Sequence, residues 1–429
     1  MEKLFLENFL LGGYDSGNTK DKISFLDNDG NIQSLEIAKV IAPAPATKLN
    51  IAGPNRHNRS LDVKVTDVDL LHVQVLSKSL DHKENGKAWY VGSYAKDKDG
   101  KIETKLKEDG TSEAKFNLEN KPLHIIPLLT GIAIAAKRNG KYEVIVPFSG
   151  GMPIEDYKNR GGNFLKELLI GEHEVKFIDG EYENSSVKIT IDTATINIEG
   201  VHSTLALEFD IKNGEIVELD IELPESYILN DCGAGTTDNA VFFDGVLDKA
   251  HSTNSFIGTN KYIDLIIKDV KNELLKLIEE KEAYSNYREF FKDMEPPIKS
   301  REDFVNNYLE PEIDKLINDD SYEPEFLVKW GPVRGETGKG EDVTEIVMNY
   351  LNEYAKEQER DLMNKWINSG VEKIICVGGG VLFGYPHFKN KKSKDFILPE
   401  NLKEAPYFTS RSYLISNYVE QLDRQNVQV

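Results

Sequence analysis

Residues 227–238 read YILNDCGAGTTD, an apolar run that ends in a glycine-rich turn. Apolar residues follow at 240–243, so the chain is predicted to turn back as a second strand, with the tight turn of a β-hairpin facing a ligand. Glycine lets the main chain approach a polyphosphate without a Cβ in the way, and short hydroxyl side chains could add donors. The turn residues that we expect to contact phosphate are Gly233, Ala234, Gly235, Thr236 and Thr237.

The same pattern occurs near the start of the chain, where residues 12–20 read GGYDSGNTK. Apolar residues return at Ile23, Phe25 and Leu26, which again predicts a hairpin. The expected phosphate contacts in this turn are Asp15, Ser16, Gly17, Asn18 and Thr19. A third apolar run, KIICVGGGV at 373–381, also ends in glycines, but the residues after it are more typical of the start of a helix.

Neither hairpin turn has a dense set of basic side chains, so a bound polyphosphate would need a cation to neutralise its charge. Magnesium takes oxygen ligands, usually keeps several waters, and is commonly bound through one or two carboxylates. Asp15 and Asp231 lie at the ends of the first strands of the two predicted hairpins. An aspartate in a glycine turn is often only turn chemistry, but its occurrence in both hairpins favours a magnesium site.

Composition limits the class of protein. The 429 residues suit two domains of roughly 200 residues each. Hydrophobic residues make up 39% and charged residues 29%, which fits a globular protein rather than a disordered or membrane chain. The net charge of −21 argues against direct nucleic-acid binding. Two cysteines, and acids where a signal peptide needs basic residues, predict a cytoplasmic protein with no membrane partner.

β-then-α units occur twice, before and after about residue 222, and predict an α/β protein with two similar halves. The expected domains are 1–222, with a small subdomain inserted at about 48–119, and 223–429, with a small subdomain at about 260–340. The expected elements are helices at 122–137, 261–282 and 343–369, a strand at 142–147 and strand-like segments from 174 to 223. A last helix, at about 409–424, could return to the first domain.

Three motifs together resemble the superfamily that joins actin, the heat-shock chaperone ATPases and the sugar kinases. The run 231–238 is similar to its second phosphate motif, 15–19 to its first and 377–381 to its adenosine motif, and they occur in the superfamily's order. The resemblance implies an actin-like two-domain fold, with duplicated mixed-sheet and helix cores around a nucleotide cleft. The strand at 144–153 and the run 255–258 before a long helix resemble the ParM-like plasmid-segregation actins.

The resemblance implies roles for the matching residues. Both hairpin turns would cradle the phosphates, and Asp15 and Asp231 would hold the magnesium shell. The remaining nucleotide contacts would be Gly258, Gly378, Gly379, Gly380 and Val381. A glutamate orients the attacking water in ParM-like proteins, and Glu199 is the best match, ahead of Glu208 and Asp210. One departure is Lys20, which follows Asp15 by only five residues, whereas the lysine of the family usually lies later.

The expected function is a polymerising ATPase whose subunits form filaments and segregate plasmid or phage DNA through a DNA-binding adaptor protein. A glycine bed accepts either purine, so ATP and GTP both stay open as the nucleotide. The alternatives are a small-molecule kinase of the sugar type, which needs an aspartate base and an acceptor pocket, and a nucleotide-dependent structural protein that does not hydrolyse. A heat-shock-type chaperone usually has a separate substrate domain, for which the chain leaves no length.

Overall fold

The contacts within the chain divide it into two units. The first consists of Met1–Leu223 and Tyr407–Val429, and the second of Pro224–Pro406. This structure is a computed structural model, and it describes residues 8–427 except 18, 49–65, 97, 104–119, 153–156, 158–160, 199–203, 220–222, 292–293, 392, 394 and 400.

The helices alternate with strands along the chain, which confirms the predicted α/β class. In chain order they are α1 (Lys121–Arg138), α2 (Asn163–Leu169), α3 (Leu205–Glu208), α4 (Thr259–Glu280), α5 (Arg288–Phe291), α6 (Arg301–Phe304), α7 (Glu310–Asn318), α8 (Thr344–Ser369), α9 (Gly379–Phe388) and α10 (Phe408–Val427). A π-helical turn at Val305–Leu309 joins α6 to α7. Short 3-10 turns occur at Gly92–Ala95, Glu282–Tyr287, Lys389–Lys391 and Leu402–Tyr407. The helices predicted at 122–137, 261–282 and 343–369 are confirmed by α1, α4 and α8.

The strands of the first unit are β1 (Gly12–Ser16), β2 (Lys20–Leu26), β3 (Ile32–Ala38), β4 (Val40–Pro43), β5 (Leu71–Ser77), β6 (Ala88–Val91), β7 (Ile102–Glu103), β8 (Glu143–Met152), β9 (Gly171–Asp179), β10 (Ser185–Ile198), β11 (Phe209–Lys212) and β12 (Glu215–Glu218). The first ten form one sheet with the order β3-β2-β1-β8-β10-β9-β5-β6-β4-β7. β11 and β12 form a separate two-stranded ladder.

Helix α1 fills the core of the first unit, since its residues from Leu123 to Ala136 are all buried. A helix that is apolar on all sides is one that is enclosed on all sides. One detail differs from the sequence predictions. The helical turn α3 interrupts the run that was expected to be strand-like from 174 to 223. β5 and β6, within the segment predicted as an inserted subdomain, continue the hydrogen bonding of the large sheet through β9.

Helix α10 lies directly on β1. A Cβ at Gly13 would be 2.0 Å from the backbone oxygen of Ser410, so only glycine permits this approach. The hydroxyls of Ser24 and Ser410 are hydrogen-bonded at 2.8 Å, and the Asn417 amide donates to the Gly12 carbonyl at 3.0 Å. The C-terminal helix is therefore part of the packing of the first strand.

The strands of the second unit are β13 (Ser226–Cys232), β14 (Thr237–Phe243), β15 (Val246–Leu247), β16 (Thr253–Ser255), β17 (Leu327–Val328), β18 (Glu341–Asp342), β19 (Lys373–Val377) and β20 (Phe396–Ile397). Six of them form a sheet with the order β15-β14-β13-β19-β20, in which β16 pairs with β14. Helix α8 packs against α4 and α9. In the described parts of both units, no helix is long and apolar enough to cross a bilayer.

The two units repeat one arrangement. In the first, the hairpin β1–β2 is followed by α1 and then by β8, which pairs in parallel with β1. In the second, the hairpin β13–β14 is followed by α8 and then by β19, which pairs in parallel with β13. Both hairpins predicted from the glycine turns are thus confirmed.

Candidate functional site

The first hairpin turn brings Asp15 opposite a lysine that the sequence analysis did not select. Asp15 pairs with Lys22 across β1 and β2, and the Lys22 Nζ lies 3.8 Å from the Asp15 Oδ2. Both side chains are partly exposed. A carboxylate and an ammonium group side by side offer a metal ligand and a charge partner for a phosphate. Lys20, in contrast, forms an ion pair with Glu36.

The hydroxyl of Ser16 faces the interior rather than a ligand. It donates to the Asp21 Oδ1 at 2.6 Å and accepts from the Lys39 Nζ at 2.7 Å, and the residue is 4% exposed. The expectation that this hydroxyl adds a donor for phosphate therefore differs from the structure, because its proton is already donated to Asp21. Burial raises the pKa of the Asp21 carboxyl, and the neighbouring Lys39 acts in the opposite direction. Asn18 lies outside the described residues.

The second hairpin turn is closed by a bond between its own ends, since the Gly233 N–H donates to the Thr236 carbonyl at 2.9 Å. Helix α4 begins against this turn. The Asn260 N–H donates to the Ala234 carbonyl at 2.9 Å, and a Cβ at Gly258 would be 2.4 Å from the same oxygen. The start of a helix is electropositive and has free N–H groups, which favours an anion beside it.

The Thr237 hydroxyl in the second unit is hydrogen-bonded inside the protein, as the Ser16 hydroxyl is in the first. Its hydroxyl donates to the Ile257 carbonyl at 2.7 Å and accepts from the Gln358 Nε2 at 2.5 Å, and the residue is fully buried. Here too, the hydroxyl that was predicted to bind phosphate is instead hydrogen-bonded within the protein, where it stabilises the turn. Gln358 could not be found from the sequence, because it lies on α8, 121 residues away from Thr237.

The glycines at 378–380 differ from each other in their surroundings. Gly378 has a φ of +85°, and a Cβ there would be 2.3 Å from the Asp231 Oδ1. A Cβ at Gly380 would be 2.8 Å from the Cys232 Cβ, whereas one at Gly379 would meet nothing within 4 Å. Gly379 is therefore the glycine with open space beside it. The side chain of Val381, expected to contact adenosine, is buried in the core of the second unit.

We predict that Gly378→Ala destabilises the second unit by roughly 2–5 kcal/mol. A left-handed backbone is strained for alanine, and the new methyl would displace Asp231 or the backbone of Cys232. Chemical unfolding followed by circular dichroism measures this, with Gly379→Ala as the control that keeps the wild-type free energy of unfolding. Equal stability of the two variants would show that the close contact at Gly378 relaxes without cost.

The carboxylate in each hairpin has the donor chemistry that magnesium prefers. Among the described residues, no group of three or more histidine, cysteine, aspartate or glutamate side chains could hold a metal alone. Magnesium is commonly bound by one or two carboxylates together with substrate phosphates and waters. Each unit has one carboxylate of this kind near the end of the first strand of its hairpin, Asp15 in the first unit and Asp231 in the second.

Three carboxylates are candidates for orienting the attacking water, and the structure describes two of them. Glu199 lies outside the described residues, and its role stays a prediction. Glu208 ends α3, and burial raises the pKa of its carboxyl. The Asp210 carboxylate accepts a hydrogen bond from the Arg411 Nη2 at 2.8 Å, so it forms an ion pair with a residue of α10.

Comparison with solved structures gives close matches, although no protein-family profile and no curated protein matches the chain. ParM from Bacillus thuringiensis in its apo form is 50% identical over 97% of this chain and 98% of that chain, with a TM-score of 0.71. The Bacillus thuringiensis ParM with ATP is 47% identical over 97% and 100% of the chains, with a TM-score of 0.80. The actin-like protein Alp7A, at 14% identity over 97% of each chain and a TM-score of 0.60, shares the fold alone.

Proposed function

Because the chain belongs to the ParM family of actin-like proteins, we propose that it is an actin-like ATPase whose filaments segregate plasmid DNA. The strongest support is the 47% identity, over 97% of this chain, with a ParM that was solved with ATP. Bacillus thuringiensis ParM was also solved with ADP and with AMPPNP, at 47% and 46% identity. These matches favour an adenine nucleotide over GTP.

In this proposal ATP is bound through both hairpin turns and the glycine bed. Backbone N–H groups of the two hairpin turns, other than the Gly233 N–H that closes its own turn, hold the phosphates, aided by the start of α4 and by Lys22. Asp15 and Asp231 hold the magnesium shell, which would supply most of the charge neutralisation. Gly379, with open space beside it, offers the closest approach to the adenosine. The fixed turns support this proposal, since preorganised donors bind phosphate without reorganisation.

ATP binding and hydrolysis then regulate assembly. The triphosphate and diphosphate states favour different conformations, so the lattice forms with ATP and weakens after hydrolysis. Head-to-tail contacts between copies of one chain that do not close into a ring generate a filament. The net charge of −21 disfavours direct contact with DNA, so a DNA-binding adaptor protein would connect the filament to the plasmid. A filament that segregates plasmid DNA would act in the cytoplasm.

Sedimentation with ATP and magnesium, together with phosphate release, tests this function. We expect polymer to form with ATP, to disappear as phosphate is released, and to persist with AMPPNP. Monomer under all nucleotide conditions would contradict the proposal. Polymer without phosphate release would instead identify a non-hydrolysing structural protein. ADP release stimulated by a sugar would identify a kinase.

A further inference from the structure

Lys39 lies between β3 and β4, and its side chain points into the protein beneath the first hairpin turn. Its ammonium group donates to the Ser16 Oγ at 2.7 Å and to the Gly17 carbonyl at 2.8 Å, and it lies 3.1 Å from the Asp21 Oδ1. Its backbone N–H donates to the Thr19 carbonyl at 2.7 Å. Lys39 therefore contacts the turn on both sides of its tip.

The burial of this lysine is unusual for the protein. The Lys39 and Asp21 side chains are 1% and 0% exposed, whereas the side chains of the Asp15–Lys22, Asp67–Arg138 and Asp210–Arg411 pairs are all at least 10% exposed. Burying two charges costs several kcal/mol per ion, which apolar side chains of similar size would avoid. Stability alone therefore does not explain this buried ion pair, and its contacts with the turn indicate a second role.

We propose that Lys39 is a positioning residue that fixes the shape of the first phosphate turn and thereby the affinity for ATP. It acts through Ser16 and Gly17, since at 1% exposure it is covered by protein and does not reach a ligand. The inference rests on the proposed function, because it assumes that this turn binds phosphate. Donors held in place before binding cost less to order, so a loosened turn binds the same phosphates more weakly.

A neutral double variant separates this role from the cost of an unpaired buried charge. Lys39→Met with Asp21→Asn removes both charges and the contact to the Gly17 carbonyl, while it keeps the approximate volume. The matched control is Arg138→Met with Asp67→Asn, which removes an ion pair of the same unit at 2.7 Å that has no contact with the turn. Circular dichroism establishes that both are folded, and calorimetric titration with ATP and with AMP, in magnesium, gives the affinities.

We expect the Lys39 double variant to bind ATP about tenfold more weakly, the factor that one lost charge-assisted hydrogen bond produces, with AMP affinity unchanged. The control keeps both affinities. Wild-type ATP affinity in the folded Lys39 double variant would overturn the inference. If the wild-type protein itself bound no ATP, the proposed function would fail instead. If the double variant did not fold, Lys39→Gln is the second variant, and an unchanged ratio of ATP to AMP affinity there would also overturn it.

Discussion

Replacing Glu199 with alanine is expected to slow ATP hydrolysis by about a hundredfold or more, while ATP-dependent assembly is retained. Glu199 follows β10 directly, and β10 pairs in parallel with β8, as β1 does. The carboxyl ends of these three strands therefore lie at one edge of the sheet, where the first hairpin turn begins. A carboxylate at that edge can orient a water for attack on the terminal phosphate.

The control for this variant is Glu208→Ala, since Glu208 is the competing carboxylate. Phosphate release is measured at saturating ATP and magnesium, and sedimentation measures the polymer. We expect Glu199→Ala to give a longer-lived polymer, because the triphosphate state persists. Unchanged hydrolysis would remove Glu199 from the mechanism, and slow hydrolysis in Glu208→Ala alone would move the role to that residue.

Asp231→Ala is expected to lower kcat/KM for magnesium-ATP by about a thousandfold and to abolish assembly at ordinary nucleotide concentrations. Asp231 is the penultimate residue of β13, and a Cβ at position 378 would lie 2.3 Å from its Oδ1, so Gly378 leaves room for this carboxylate. Loss of the side chain removes the proposed ligand of the metal shell without adding volume, so the unit should remain folded.

A titration of hydrolysis against magnesium tests the assignment of Asp231. Partial recovery at high magnesium is expected, because the lost ligand weakens metal binding. Asp244→Asn is the matched control: Asp244 is exposed at the other end of the β14 strand and has a φ of 49°, which asparagine tolerates. A wild-type magnesium dependence in Asp231→Ala would exclude Asp231 from the metal shell.

The elements of the fold were predictable where they depend on local pattern. An apolar run, a glycine turn and a second apolar run define each hairpin within about twenty residues, and the long helices have a clear period. The position of Asp231 beside Gly378 could also be expected, because both belong to motifs for which the resemblance implies one shared ligand.

Hydrogen-bond partners that lie far apart in the sequence could not be predicted. Lys39 follows Ser16 by 23 residues and Gln358 follows Thr237 by 121, and nothing in the local sequence marks either as the residue that fastens a turn. For the same reason the hydroxyls of Ser16 and Thr237 were expected to face phosphate. A serine in a glycine turn has the same local sequence whether its hydroxyl points outward or inward, and only the tertiary partners decide between the two.

The packing of α10 on β1 has a consequence for synthesis in the cell. The Asn417 amide donates to the carbonyl of Gly12, which precedes it by 405 residues. At translation rates of roughly 5–20 residues per second, β1 leaves the ribosome about 20–80 s before the helix that covers it. The continuous segment of the second unit, Pro224–Pro406, emerges in between and can fold first. The part of the protein that is made first is therefore the last to be completed, and its uncovered sheet face must be kept from aggregation during that interval.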